Sequence, residues 1–349
     1  MRKKKWARPA RVLLWLAVCL ASMLTVTLGV PALLVKRDAP ASATDDAAQL
    51  RGAAFAQNGQ GPLVPVFLSK RQTTEQIPLE TYVEGVVAAE MPIEFAPEAL
   101  KAQALASRTY IVRRILEGDA SNVPVSGALV TDTVAHQVFV TEDELRERWG
   151  AAAYTANMAK LRKAVAETKD RILLYDGKPI NATFFSTSNG YTENSEDYWP
   201  DHIPYLRSVP SPWDAKLSPR FKETTTISYK TVLQQLGVSA ISSSTSKATG
   251  IEVLEWSAGH RIKSIMIGGK TFTGRDVREK LGLPSSQFTW AWKGTTQLEF
   301  TTYGYGHGVG LSQWGANGMA QEGRSAEDIV KYYYTGIQLG KASDFIAAK

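Results

Sequence analysis

Glu90 falls in the middle of the apolar face of the helix expected to carry it. At 100° per residue from Leu79, the side chains of Leu79, Val83, Val86 and Val87 lie at about 0°, 40°, 340° and 80°, and Glu90 lies at about 20°. Glu80 and Glu84 fall on the other side and are expected to be solvated. A carboxyl group on an apolar face is harder to ionise, and the negative end of the helix dipole acts in the same direction. An acid still protonated near neutral pH suits general acid catalysis, the step that breaking a glycosidic bond requires. The competing possibilities are a structural ion pair of Glu90 with Lys101 or Arg108, or a wheel one turn out of register.

A second group of candidates lies in residues 303–323 (YGYGHGVGLSQWGANGMAQEG). Glycine at 304, 306, 308 and 310 lets the backbone approach a ligand closely or adopt positive φ. The strict alternation matches neither a phosphate-binding P-loop nor a dinucleotide fingerprint. Tyr303, Tyr305, His307, Gln313 and Trp314 offer stacking faces and hydrogen bonds suited to sugar rings. The plainer alternative is a glycine-rich turn that packs aromatics into the core. His136, His202, His260 and His307 are scattered, without the paired spacing of a metal site. Ser186, Ser188 and Ser312 lack the context of a nucleophile elbow.

These groups need elements to hold them. A strand is expected over 63–68, then a helix over 78–91 that Pro92 ends, and a second helix from Pro97 to a stop at Gly118. A third helix is expected over 142–169, with a break at Gly150. Strands over 172–175 and 180–186 turn at Asp176 and Gly177, and residues 186–212 read as a shaped loop. Strands over 251–256, 261–267 and 270–273 with a helix over 275–281 suggest a smaller lobe at 222–285. Ser325 and Asp328 open a last helix through Tyr334.

Residues 12–35 carry no charge and as a helix would span about 36 Å, enough to cross a hydrocarbon core of ~30 Å. Six basic residues precede this run and should stay in the cytoplasm, which places the bulk of the chain outside. A cleaved signal peptide is the competing reading. Its apolar region would be shorter, and the nearest small-x-small site, Ala41 to Ala43, lies well beyond the run. The expected organisation is therefore a cytoplasmic basic tail at 1–11, a single-pass anchor at 12–35 and a flexible tether at 36–62. The main extracytoplasmic domain follows at 63–340, then a tail at 341–349. Residues 1–37 hold eight basic and no acidic side chains, which outweighs the whole net charge of +6. The remainder is close to neutral, so a nucleic-acid partner is not expected. The sole cysteine, Cys19, lies in the anchor, which leaves the domain no disulfide, thiolate nucleophile or cysteine zinc site.

Three segments together resemble the stage II sporulation protein D family of peptidoglycan lytic transglycosylases, related to amidase-enhancer proteins. The first is residues 77–92 (IPLETYVEGVVAAEMP) with 99–110 (ALKAQALASRTY). The second is 184–193 (FFSTSNGYTE), leading to Tyr198, Trp199 and 204–206. The third is 304–315 (GYGHGVGLSQWG) with its downstream helix. The resemblance implies that Glu90 is the catalytic acid. It implies cleavage of glycan stripped of stem peptides, between N-acetylmuramic acid and N-acetylglucosamine, to leave 1,6-anhydro-N-acetylmuramic acid. It further implies septal wall remodelling during sporulation engulfment, beside a membrane-bound wall amidase and a polytopic membrane protein. One carboxyl group suffices if the sugar's own 6-hydroxyl attacks, so the usual second carboxylate can be absent. Lys101, Gln103, Arg108, Ser188, Asn189, His307, Gln313 and Trp314 are expected to position the glycan. Some relatives hold zinc through Cys and His after the second helix, where this chain has only His136, so no cofactor is expected. The fold expected is α+β, a helical catalytic core with short strands and an inserted mainly-β lobe. The rivals are a non-catalytic wall-binding activator of an amidase and a muramidase that uses water.

Overall fold

The computed structural model describes residues 61–238 and 250–346. The expected tail at 1–11, the anchor at 12–35, nearly all of the tether and residues 347–349 lie outside them. Among the described residues no helix is long and apolar enough to cross a membrane.

β1 (Leu63–Leu68) and β2 (Thr73–Pro78) pair antiparallel, and β3 (Val130–Thr131) runs parallel along the other edge of β1. α1 (Leu79–Glu90) follows Pro78 directly. It stops because Pro92 disfavours helical geometry at Met91, which is extended at φ −120° and ψ 140°. α2 (Pro97–Glu117) has proline in its first turn and ends on Gly118 in the left-handed conformation, φ 61°. α3 (Glu142–Glu167) opens on a capping box of Thr141 and Glu144 and breaks at Gly150, φ 67° and ψ 161°. β4 (Arg171–Tyr175) and β5 (Lys178–Pro179) form a hairpin around Asp176 and Gly177. The strand expected over 180–186 is only β6 (Phe184–Phe185), and the polar loop after it contains the short α4 (Ser195–Tyr198) and α5 (Asp214–Leu217).

α2 is the hub of the first core. Ala99, Ala102, Ala104 and Ala106 are all fully buried, and these small side chains let several helices approach it at once. On α1, Val83, Val86 and Val87 are fully buried, each stabilising by about 1.5–3 kcal/mol. That fixes the helix whose last residue is Glu90. The other side of α1 is partly covered as well, so Glu80 and Glu84 are half-buried and ion-paired rather than freely solvated as expected. Fully buried Arg108 of α2 donates from Nε and Nη2 to the two oxygens of Glu80, at 3.0 and 2.7 Å. Arg162 of α3 faces Glu84 at 3.6 Å.

A second core follows. β7 (Lys222–Ser228), α6 (Tyr229–Leu236), β8 (Ile251–Trp256), β9 (Ile262–Ile267), β10 (Lys270–Thr273) and α7 (Gly274–Leu281) lead into β11 (Phe288–Lys293) and β12 (Gln297–Tyr303). The strands make two three-stranded antiparallel sheets, β10-β9-β8 and β11-β12-β7. Phe288, Leu298 and Phe300 belong to this core with Ile265, Ile267 and Val277. Its packing therefore extends past residue 285, because β7 pairs with β12 rather than closing within 222–285.

The chain then returns to the first core. β13 (Leu311–Ser312) runs parallel to β6, and α8 (Gln313–Gln321) and α9 (Ala326–Tyr333) pack on α2. β14 (Gln338–Lys341) pairs with β4, and α10 (Ser343–Ile346) ends the described chain. The described residues thus form a mixed helix-and-strand fold.

Candidate active site

Glu90 is half-buried at the end of α1, and two other segments converge on it. Its Oε1 accepts the backbone N–H of Val138 at 3.0 Å. Its Oε2 accepts the Gln313 amide at 3.3 Å, and the same Nε2 lies 3.4 Å from Oε1 of Gln103. Gln103 in turn donates to Ser107 Oγ at 3.1 Å. The start of α8 and the loop at 133–140 therefore meet α1 at one carboxyl group, and α2 backs it through Gln103 on the Gln313 amide.

Each segment is there for a local reason. The loop at 133–140 docks on α1 at Gly85, where a Cβ would stand 2.3 Å from the Phe139 ring and 2.5 Å from Val140 O. Tyr82, one turn earlier, stacks on Phe139 at 5.5 Å and donates to Gln137 Oε1 at 3.3 Å. The start of α8 is set by Ser312, whose Oγ caps Gly315 N–H and donates to buried Asp214. Asp214 also accepts Ser211 Oγ at 2.6 Å and Ser188 N–H at 2.7 Å, so one carboxylate ties α5, the polar loop and α8 together.

Burial pushes the Glu90 carboxyl above the ordinary carboxylate range, and the bonds from Val138 and Gln313 offset part of that. No charged group contributes, and among the described residues Glu90 has no ion pair. The structural ion pair weighed against catalysis is therefore absent. Arg108 is held by Glu80 and by the carbonyls of Thr168, Arg171 and Val165. Lys101 pairs with Glu98 and Glu167.

Of the residues expected to position glycan, the structure brings Gln313 to Glu90, with Gln103 behind it on the same amide. Trp314 stands beside Gln313 with its ring edge-on to Phe95, centroids 4.7 Å apart. Lys101 and Arg108 are engaged elsewhere. Ser188 is fully buried, donating to Ser211 O, and Asn189 donates to Gly259 O at 2.8 Å, linking the polar loop to the second core. His307 packs among Phe185, Tyr198 and Trp199. Its Nε2 donates to Phe184 O and its Nδ1 accepts Val309 N–H. Burial, with Arg278, Arg261 and Arg275 nearby, pushes its pKa down to about 3, so it stays neutral.

His136 does not fit a metal. Its Nδ1 accepts from Thr131 N–H at 3.2 Å and its Nε2 donates to Ser121 O at 3.0 Å, which occupies both ring nitrogens. Among the described residues no three His, Cys, Asp or Glu side chains group to hold an ion. The sequence reading did not anticipate Val138, Gln137 or Asp214 as parts of the site. Gly85 on the buried side of α1 was the trace of a close approach by another segment. Asp214 left no such trace.

Residues 68–175, which contain Glu90 and Gln103, match the stage II sporulation protein family. Stage II sporulation protein D of Bacillus subtilis strain 168 is 51% identical over 284 residues, covering 81% of this chain and 80% of that protein. The Bacillus amyloliquefaciens protein of the same name is 50% identical over the same shares. The amidase enhancer of Bacillus subtilis strain 168 is 30% identical over 305 residues, 74% of this chain and 40% of that protein. On this likeness along most of its length, the chain belongs to the stage II sporulation protein D family.

Proposed function

We propose that this chain is a membrane-anchored lytic transglycosylase. It cuts peptide-free peptidoglycan glycan between N-acetylmuramic acid and N-acetylglucosamine. The observation that carries this reading is Glu90, an acid whose pKa burial raises and which is held by two neutral donors without a charged partner among the described residues. Glu90 gives its proton to the glycosidic oxygen as the bond to the anomeric carbon breaks. The sugar's 6-hydroxyl then attacks that carbon and passes its proton to the carboxylate, which restores the acid and leaves a 1,6-anhydro ring. The Val138 N–H and the Gln313 amide stabilise the carboxylate between the two transfers. No water is consumed and no second carboxylate is needed.

The pH dependence follows from the same group. The protonated form is the active one, so the rate on peptide-free glycan is expected to fall as pH rises through the raised pKa of Glu90. A pH–rate profile with its alkaline limb at the ordinary carboxylate value, or none, would assign the acid elsewhere.

We place the enzyme at the septal wall during sporulation engulfment, beside a membrane-bound amidase that strips stem peptides and a polytopic membrane protein. Residues 12–35 are the proposed single-pass anchor, with the N-terminus cytoplasmic. Full-length protein is expected to stay with membranes through an alkaline carbonate wash. A mature N-terminus near Asp45 would instead show a cleaved signal. The likeness to the amidase enhancer favours one second reading, a non-catalytic activator of an amidase. That reading predicts no glycan cleavage by the purified chain and a faster amidase in its presence.

A further inference from the structure

The two ends of the Gln313 amide would act on Glu90 in opposite senses. A carboxamide has an oxygen that accepts and a nitrogen that donates, and the two ends are nearly the same size. Turned nitrogen-first, it favours the ionised carboxyl group, which only accepts. Turned oxygen-first, it accepts the acid's own proton and favours the protonated form. The last torsion of glutamine is soft, so the place of its Cα does not decide between them. The Ser312 cap on α8 therefore brings Gln313 to Glu90 without choosing its end.

In the structure the nitrogen faces the acid. Gln313 Nε2 lies 3.3 Å from Glu90 Oε2 and 3.4 Å from Gln103 Oε1, so its two hydrogens have two acceptors. Gln103 is fully buried on α2, among the alanines that let other helices come close. A buried amide is costly unless it is hydrogen-bonded. Gln103 donates its own nitrogen to Ser107 Oγ, 3.1 Å away and one turn further along α2, which leaves Oε1 facing Gln313. If Gln313 turned alone, its oxygen would meet the oxygen of Gln103 with no proton between them, and both side chains are buried. Only a concerted turn of both amides, with the Ser107 hydroxyl changed from acceptor to donor, would reverse the row.

No charge competes with this control. Burial raises the Glu90 pKa and the bonds from Val138 and Gln313 lower it, with no charged side chain contributing. Tyr82 on α1 registers the charge of Glu90, but burial pushes its phenol far up, so it stays neutral and donates to Gln137. Which end of Gln313 faces the acid therefore weighs heavily on how it holds its proton.

We infer that Gln103 is a positioning residue, which holds the Gln313 amide nitrogen-first towards Glu90 without itself touching the acid. The inference rests on the glycan-cutting reading and deepens it, because that reaction makes Glu90 a carboxylate between two proton transfers. A nitrogen-first amide supports the carboxylate at that moment, and an oxygen-first amide would oppose it. The role of Gln103 is then exerted on the acid rather than on the glycan.

The test follows the acid itself, so that it stands or falls separately from the catalytic reading. Carboxyl carbon NMR shifts of full-length chain, labelled at glutamate Cδ, trace each acid through its titration, and the Glu90 signal is the one lost in Glu90→Gln. Gln103→Met keeps the length of the side chain and removes the acceptor, which frees Gln313 to turn its oxygen to the acid. The Glu90 midpoint is expected to move further up in that chain. The alkaline limb of the rate on peptide-free glycan should move with it. The rate on the acid-side plateau should fall about tenfold, the usual worth of a hydrogen bond to a charged group. In a Gln313→Met background the same substitution is expected to shift nothing further, because Gln103 acts only through that amide. A folded Gln103→Met chain with the wild-type Glu90 midpoint overturns the proposal. An equal shift in the Gln313→Met background overturns the route through Gln313. If Gln103→Met does not fold, Ser107→Ala carries the test: it lets Gln103 turn and is expected to move the midpoint the same way by less. An unmoved midpoint there overturns the proposal as well. A midpoint that moves as expected in a protein that never cuts glycan would count against the transglycosylase alone.

Discussion

Glu90→Gln is expected to lower the cleavage rate on peptide-free glycan by about 10²–10⁴, the usual contribution of a positioned general acid. The amide keeps the size of the acid and can still accept the Val138 N–H, but it has no proton to give to the leaving oxygen. The fold should not suffer. Burial raises the Glu90 pKa in the folded chain above its unfolded value, so the folded state binds the proton more tightly. The stability linked to that proton is complete below the unfolded pKa and is lost as pH rises through the folded one. Glutamine has no such loss. At pH 7 the variant is therefore expected to melt no lower than wild type, and any advantage should fade as pH falls towards the ordinary carboxylate range. Thermal melts at both pH values check this beside the rate. A well-folded Glu90→Gln chain that still cuts at the wild-type rate would move the acid to another residue.

The second large effect is expected at Arg108, and it is one of stability. Arg108→Ala would strip Glu80 of both its guanidinium donors and take one donor each from the carbonyls of Thr168 and Val165, which keep only their local N–H and hydroxyl partners. Breaking one side of a buried ion pair costs about 3–5 kcal/mol. Denaturant unfolding should show a loss of that order, and the remaining activity should follow the folded fraction. An Arg108→Ala chain of unchanged stability with greatly reduced glycan affinity would instead restore the glycan-positioning role that the sequence suggests.

The contrast between Glu90 and Arg108 shows what a sequence can convey about such a site. Local periodicity placed Glu90 on a buried face because a helix face follows from spacing alone, and the caps at Pro78, Gly118 and Ser325 were legible for the same reason. What surrounds that face depends on contacts far apart in the chain. Arg108 meets Glu80 across 28 residues and Thr168 across 60, and Gln313 meets Glu90 across 223. A motif that contains Arg108 and Gln313 does not reveal that one faces inward to a structural acid and the other reaches the candidate catalytic one. The loop at 133–140 was read only for His136, since a backbone N–H such as that of Val138 leaves no mark in residue types. The extent of the second core was underestimated because β7 and β12 are partners separated by α6, β8, β9, β10, α7 and β11.

The central claim is that a single acid with the substrate's own hydroxyl completes the reaction. It is tested most directly by mass spectrometry of the ends produced when the purified chain, without amidase, is incubated with peptide-free glycan. The mechanism predicts 1,6-anhydro-N-acetylmuramic acid ends, lighter by one water than hydrolysed ends, and their loss with Glu90→Gln. Reducing ends as the sole product would contradict it, since they require a water nucleophile and a second group to activate it.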